Sequence, residues 1–409
     1  MSELVRVLLA ASEKAANIAR LIRAETKLFS LLVQEKKGEE RNERFVRDFK
    51  TLADVLIQES LRHDIGEMYP DMKDNIYGEE SNTFSNALGA TITVKVEDTP
   101  ELTAKLLSQV LDGDMDAAKL LAEEVHREIK LDERETSLLP HDLIETYENI
   151  GIWIDPIDAT NEYIKGSEEF DKICHENLEE EDQVWSAGLH CVTVLIGAFY
   201  MNTGQPIIGV INQPFWKYDA AKQKWNGRFF WGLSLGSHSV STLTRYPLPR
   251  NEDNFPKRHT VILSSSEDKA LKDKLKTKFN TISSAGAGYK LLCVALGLAD
   301  VYLLSKDSVH LWDLCGPHCI LNSLGGGIYS YKNYCQDSEQ VPSGKQCRIS
   351  YDPHQESNGK EGNFVIKGGI LGFRDVQIAA SVRECILADI PMTPCYEERE
   401  TVPDYSDDA

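Results

Sequence analysis

The chain has 409 residues, more than one simple core accommodates, so two domains are expected. Its 42% hydrophobic and 27% charged residues are the balance of a soluble globular protein, and its longest apolar runs fall far short of a membrane span. A formal net charge of −21 argues against nucleic acid and anionic membranes as partners.

Apolar residues at Leu4, Leu8, Ala11, Ala15, Ile18 and Ile22 predict an amphipathic helix from about Ser2 to Gln34 rather than an export signal. The nine cysteines are scattered without paired spacing, so reduced thiols and a cytoplasmic protein are expected. A charged connector, EKKGEERNERF, leads to a second predicted helix, FVRDFKTLADVLIQESLRHDI, with Phe45, Phe49, Leu52, Val55 and Leu56 on one face. Asp54 lies beside that face, inside the helix rather than at its start, which makes it a poor cap and a candidate for chemistry. The short run DNIYGEESN ends in the carboxylate pair Glu79 and Glu80.

DGDMDAAKLLAE spaces Asp112, Asp114, Asp116 and Glu123 like a calcium loop, but Ala117 stands where the sharp turn needs glycine. The stretch reads instead as the first turns of a helix. Next comes GIWIDPIDATNEYIKGS, an apolar strand that ends in Asp155 and Asp158 around Pro156. A helix cap needs only one carboxylate. Two carboxylates and the Ile157 carbonyl form a hard oxygen cage suited to Mg²⁺. The spacing leaves cap and cage both open.

From Leu189 the pattern turns to an antiparallel meander: LHCVTVLIGAFY, the turn MNTGQ, PIIGVINQPFW, and WNGRFFWGLS with an Asn-Gly hairpin signal. A polar, proline-bearing stretch between Gly236 and Arg258 marks the domain boundary, giving an α+β unit over 1–240 and an α/β unit over 241–393. The acidic end, 394–409, reads as a disordered tail. In the second unit Asp313, in LWDLCGPH, reads on its own as a helix N-cap, and Cys315, His318 and Cys319 as core packing rather than zinc ligands. SSAGAGYK, Ser283 to Lys290, offers backbone donors and a cation but lacks P-loop spacing. Asp54, Glu79 with Glu80, Asp155 with Asp158, and Asp313 place carboxylates on four separate segments, as a two- or three-metal phosphatase centre requires. An aspartyl-phosphate phosphatase would need its second aspartate two residues after the first, and here the gap is three.

GEES, DPIDAT and WDLCGPH, in this order, resemble the three metal-site motifs of the lithium-sensitive, Mg²⁺-dependent phosphatases, the superfamily of inositol monophosphatase and fructose-1,6-bisphosphatase. The likeness extends from about Leu4 to Phe373. It implies an α/β fold, a layered αβαβα sandwich of the sugar-phosphatase type. It implies that Glu79, Asp155 and the Ile157 carbonyl hold a first Mg²⁺, and Asp155, Asp158 and Asp313 a second. Glu80 and Asp54 would hold a third, weaker cation, and Thr160 with Asp54 would relay a proton. Asp158, Ala159, Thr160, Ser266, Gly286 and Lys290 would contact substrate, Lys290 at a remote phosphate. Ala159 departs from the serine or glycine usual in relatives, and Asp268 stands where a lysine is expected near substrate. The implied reaction removes the 1-phosphate of inositol 1,4-bisphosphate or inositol 1,3,4-trisphosphate. It would be inhibited by Li⁺ and carried out by a monomer on a small molecule. A 3′-phosphoadenosine 5′-phosphate nucleotidase is the alternative.

Overall fold

The structure is a computed structural model, and it describes residues 1–25, 28–38, 48–140, 149–166, 172–173, 183–236, 238–245, 258–336, 347–354 and 364–388. The acidic tail lies outside these residues. α1 (Ser2–Ala24) buries Leu4, Leu8, Ala11, Ala15, Ile18 and Ile22, as their spacing demands. It stops well before Gln34, because Val33–Glu35 is instead β1, paired antiparallel with β2 (Phe49–Thr51). α2 (Leu52–Met68) follows β2 directly, so the second helix begins later than its apolar residues suggest.

β3 (Ile76–Gly78), the hairpin β4 (Thr83–Ser85) and β5 (Thr91–Thr93), then α3 (Pro100–Ser108), α4 (Met115–His126) and α5 (Glu133–Thr136) come next. The helical reading of the calcium-loop look-alike holds: Asp114 caps α4, accepting from the backbone N–H groups of Asp116 and Ala117 at 3.1 and 3.0 Å. β6 (Ile150–Asp158) leads into α6 (Thr160–Lys165), and β7 (Lys172–Ile173) pairs with β8 (Val184–Trp185). The meander is β9 (Thr193–Tyr200), β10 (Gln205–Asp219), β11 (Lys224–Leu235) and β12 (His238–Ser241). Its middle turn is not at Asn226-Gly227, which lies within β11 with Asn226 opposite Lys217. Asp219 makes the turn instead, its carboxylate accepting from the N–H groups of Ala221 and Lys222.

These strands form a six-stranded sheet in the order β12-β11-β10-β9-β6-β3. A second, five-stranded sheet holds β13 (Thr260–Leu263), β14 (Asn280–Ser283), β15 (Val301–Leu304), β16 (Gly327–Ser330) and β17 (Ile370–Phe373) in the order β14-β13-β15-β17-β16. Between them in sequence run α7 (Lys269–Lys276), α8 (Ala287–Leu296), α9 (Leu311–Ser323) and α10 (Tyr331–Gln336), and α11 (Val376–Leu387) follows the last strand. α1 and α2 cover the outer face of the first sheet, α8 and α9 lie between the two sheets, and α7 with α11 cover the second sheet. The result is the layered αβαβα sandwich.

The central layer sits close to the first sheet for a sequence reason. Gly209 on β10 is paired with Gly197 on β9 and with Gly232 on β11, a row of glycines across three strands. A Cβ on Gly197 or Gly209 would run into the backbone of Gly316 in α9. The glycines thus let α9 ride directly on the sheet, which brings its first turn, and Asp313, over the end of β6.

Candidate metal and phosphate centre

β6 is buried along its whole length, and Asp155 pairs with Leu195 while Asp158 pairs with Thr193. Three steps on β6 therefore answer two on β9, a β-bulge at Pro156 and Ile157. Side chains alternate along a strand, so an odd spacing would send the two aspartates to opposite faces. The bulge returns them to one face, where Asp155, Asp158 and Asp313 each bring a carboxylate oxygen within 4.8 Å of the others. Burial, then Glu79, Asp158 and Asp313, hold the Asp155 pKa well above the carboxylate range. Its Oδ1 is buried without a hydrogen-bond partner.

Asp158 does not cap the helix that follows it, since the N-cap of α6 is Ala159. It caps α8 across the molecule, accepting from Ala287 N at 3.2 Å and Gly288 N at 2.8 Å, with Thr193 Oγ donating at 3.2 Å. Burial and the nearby Asp313 raise its pKa to about 6, against the pull of Lys290 and the two amides. Gly286 must be glycine here: its φ is +70°, and a Cβ would stand 3.0 Å from Asp158 Oδ2 and 2.8 Å from the Cys191 carbonyl.

Lys290 is only 4% exposed. Its ammonium donates to the Ser284 carbonyl at 3.2 Å and to the Gly286 carbonyl, and lies 5.1 Å from the centre of the Tyr302 ring. The expectation of Lys290 at a remote phosphate meets a side chain turned into the protein, where it shapes the Gly286 loop and faces Asp158. Ser266 is exposed on the loop after β13, its Oγ 2.9 Å from Ser264 Oγ.

Asp54 is not mid-helix. It is the third residue of α2, and its Oδ2 accepts from both the N–H and the Oγ of the N-cap Thr51 at 2.6 Å. This is a capping box, so the cap role that the sequence reading denied to Asp54 is real. The signature, threonine followed by aspartate three residues on, is present in TLAD, but the apolar spacing that begins at Phe45 masks it. Asp54 Oδ1 remains buried and unpartnered. Burial raises the pKa of Asp54 to about 6, helped by Glu79 and opposed by Thr51 and Lys36.

Glu79 and Glu80 directly follow β3. Gln58 of α2 holds the Glu80 backbone from both sides, accepting from Glu80 N at 2.8 Å and donating to the Glu80 carbonyl. Their counter-ion has no local signature in the chain. Lys36, in the charged connector, is 4% exposed and places its Nζ 2.6 Å from Glu79 Oε1 and 2.6 Å from Glu80 Oε1. Lys50 lies 3.8 Å from Glu80 Oε2. Although burial opposes it, Glu79 and Glu80 hold the Lys36 pKa well above its usual value. Burial still lifts Glu80 to about 8.

Thr160 Oγ donates to the Ile157 carbonyl at 3.0 Å, not to Asp54. Ala159 sits at φ +69°, ψ +44°, the left-handed region where a Cβ is strained. The centre therefore joins two carboxylate groups, Asp155, Asp158 and Asp313 on one side and Asp54, Glu79 and Glu80 on the other, coupled through Glu79. An all-oxygen donor set with unpartnered Asp155 Oδ1 and Asp54 Oδ1 fits hard divalent cations.

The sequence profile of the "Inositol monophosphatase family" matches residues 87–356. The chain is 39% identical to the inositol polyphosphate 1-phosphatase of Mus musculus over 386 residues, 91% of this chain and 94% of that protein. It is 39% identical to the Homo sapiens protein of the same name over 394 residues, with the same coverage. It is 28% identical to the 3′(2′),5′-bisphosphate nucleotidase 1 of Dictyostelium discoideum over 321 residues, 76% of this chain and 84% of that protein. A β-bulge that gathers DPID, a helix that delivers WD, and a strand that leads into Glu79 and Glu80 are thus borne by a chain that belongs to the inositol monophosphatase family.

Proposed function

We propose that this protein is an inositol polyphosphate 1-phosphatase, releasing the 1-phosphate of inositol 1,4-bisphosphate and of inositol 1,3,4-trisphosphate. The observation that carries the reading is the bulged DPID segment with its unpartnered Asp155 oxygen, set in a chain 39% identical to proteins of that name. Glu79, Asp155 and the Ile157 carbonyl would hold one Mg²⁺, and Asp155, Asp158 and Asp313 a second. Asp54 and Glu80 would hold a third, weaker one. When bound, these cations neutralise the phosphate dianion, activate water and stabilise the departing oxygen.

The chain's own groups supply the rest. Asp54 Oδ1 accepts the proton of the attacking water, and a pKa near 6 suits a base at neutral pH. Thr160 completes the relay when its hydroxyl leaves the Ile157 carbonyl for Asp54. The N–H groups of Ala159 and Thr160 orient the scissile phosphate. Asp158, held by α8, faces the substrate beside Gly286 and Ser266. Lys290 acts through the Gly286 loop rather than by direct contact.

The test is phosphate release from inositol 1,4-bisphosphate beside 3′-phosphoadenosine 5′-phosphate, with Mg²⁺ or chelator, and with Li⁺ against matched Na⁺. The expected result is preference for the inositol substrate, dependence on Mg²⁺ and inhibition by submillimolar to millimolar Li⁺. Preference for the nucleotide would move the chain to the nucleotidase branch, and full activity in chelator would remove the metal mechanism. We further propose that the enzyme works as a cytoplasmic monomer. No disulfide joins two described cysteines, and no described helix is long and apolar enough to cross a membrane.

A further inference from the structure

α6, which carries Thr160, has only six residues, too few to stand as a helix without tertiary support. It lacks a local cap as well. Its N-cap, Ala159, lies in the left-handed region and makes no side-chain hydrogen bond, while the neighbouring Asp158 is engaged by the N–H groups of Ala287 and Gly288 in α8. The position of α6 is therefore set by contacts with distant parts of the chain, and two adjacent residues make them. Tyr163 is fully buried, and its hydroxyl donates to the Ala19 carbonyl of α1 at 2.9 Å. Its ring meets that of Phe29 edge-on at 5.7 Å and lies 6.0 Å from that of Phe215. Burial, then Asp54, hold the Tyr163 phenol well above its usual pKa, so the hydroxyl stays a donor.

Glu162, 7% exposed, makes the other contact. Its Oε2 accepts from Gly188 N at 2.9 Å, and its Oε1 accepts from Lys165 Nζ at 2.9 Å. Gly188 sits at φ +92°, ψ −173°, a backbone conformation that only glycine adopts without strain. The residues just before it bond to the loop after β14. The Ser186 carbonyl accepts from Ala285 N at 2.9 Å, and the Trp185 carbonyl accepts from Ser284 Oγ at 2.6 Å. That loop runs into Ala287 and Gly288, which hold Asp158. The path therefore closes on itself, from Asp158 through the start of α8, Ala285, Ser186, Gly188 and Glu162, and back along α6 to Asp158. Glu162 is the link that joins α6 to this ring.

We propose that Glu162 is a positioning residue for the phosphatase reaction, closing this ring so that α6 holds Thr160 in register with Asp158 and the Gly286 loop, with Tyr163 as the second pin of the helix. The inference rests on the inositol polyphosphate 1-phosphatase reading above. Glu162 acts through Gly188 and Tyr163 through Ala19, and neither meets the reacting atoms. Without Glu162 the short helix stays attached through Tyr163 but gains freedom about that pin. A displacement of about 1 Å at a reacting group costs up to about a hundredfold in rate. A misplaced relay is felt in the transition state rather than in substrate binding, so the loss belongs in kcat and not in KM.

The experiment measures kcat and KM on inositol 1,4-bisphosphate for wild type, Glu162→Ala, Glu162→Gln and Tyr163→Phe, each well below its thermal midpoint. Glu162→Ala is expected to lower kcat about tenfold, with KM within about threefold of wild type. Glu162→Gln keeps an oxygen that accepts from Gly188 N, and should return kcat to within about threefold of wild type. Tyr163→Phe keeps the ring but loses the bond to Ala19, and should lower kcat by about threefold with KM unchanged. Wild-type kcat in Glu162→Ala overturns the proposal even if the midpoint falls, since that is a structural role alone. Equal losses in Glu162→Ala and Glu162→Gln overturn it too, because the bond to Gly188 would not be what matters. Should Glu162→Ala fail to fold, Tyr163→Phe decides, and wild-type kcat there overturns the pinning of α6. A wild-type enzyme that releases nothing from inositol 1,4-bisphosphate fails the parent reading itself, and the proposal falls with it.

Discussion

Asp54 and Asp313 occupy the same helical position. Each is the third residue of its helix, α2 or α9, and each gives Oδ2 to the backbone N–H of its own N-cap residue, Thr51 at 2.6 Å and His310 at 2.5 Å. A capping box normally spends a carboxylate on local structure. Here the box also fixes the rotamer, so that the second oxygen of Asp54 is presented rigidly at the centre.

That dual use separates two substitutions of Asp54. Asp54→Asn keeps an acceptor for Thr51 but no base, and should lower kcat by about 10²–10⁴ with the thermal midpoint little changed. Asp54→Ala should lose the same activity and also about 1 kcal/mol of helix capping, seen as a lower midpoint. An Asp54→Asn enzyme within a few-fold of wild-type kcat would remove Asp54 from proton transfer.

Lys36 carries the opposite kind of prediction. Without it, among the described residues, the pair Glu79 and Glu80 keeps Lys50, 3.8 Å from Glu80, as its near cation. Lys36→Gln should cost about 3–5 kcal/mol in chelator, because buried carboxylates lose their partner. Added Mg²⁺ should restore more stability to the variant than to wild type, since a cation can take the vacated position. Midpoints measured with and without Mg²⁺ check this, and an equal Mg²⁺ gain in both proteins would count against it.

The raised carboxylate pKa values set a pH dependence for the metal-free protein. Asp54 and Asp158 titrate near 6 and Glu80 near 8 when folded. These exceed the unfolded values of about 4, so the folded chain binds more protons within that window. The contribution of these groups is fully present below about pH 4 and is lost as pH rises through 6 toward 8. Mg²⁺ displaces those protons, so its stabilising effect should grow from pH 5.5 to pH 8, by about a few kcal/mol at most. Calorimetry or thermal melts across that range would show it, and a Mg²⁺ effect independent of pH would contradict it.

Ala159 bears its left-handed conformation at a cost of about 1–2 kcal/mol. Ala159→Gly should melt no lower than wild type, because relief of that strain offsets the added freedom of the unfolded glycine. Ala159→Val should melt clearly lower. Equal midpoints for the two variants would mean that the backbone relaxes at this position.

The parts of this protein governed by local chemistry are legible along the chain. The periodicity of α1, the meander strands, the alternation of the second half and the motif order GEES, DPIDAT, WDLCGPH are all visible as residues along one line. Boundaries were less secure where two local signals competed: apolar spacing drew the second helix back to Phe45, and Asn226-Gly227 imitated a turn that Asp219 makes. Which residues meet is set by packing between distant elements. The Pro156–Ile157 bulge is defined by register against β9, and register is a property of two strands. Asp158 caps a helix more than a hundred residues away, and Lys36 finds Glu79 and Glu80 from another sheet. Charge in a sequence carries no burial, and burial is what turns these lysines and carboxylates from a solvated surface into a centre whose donor set fits hard cations.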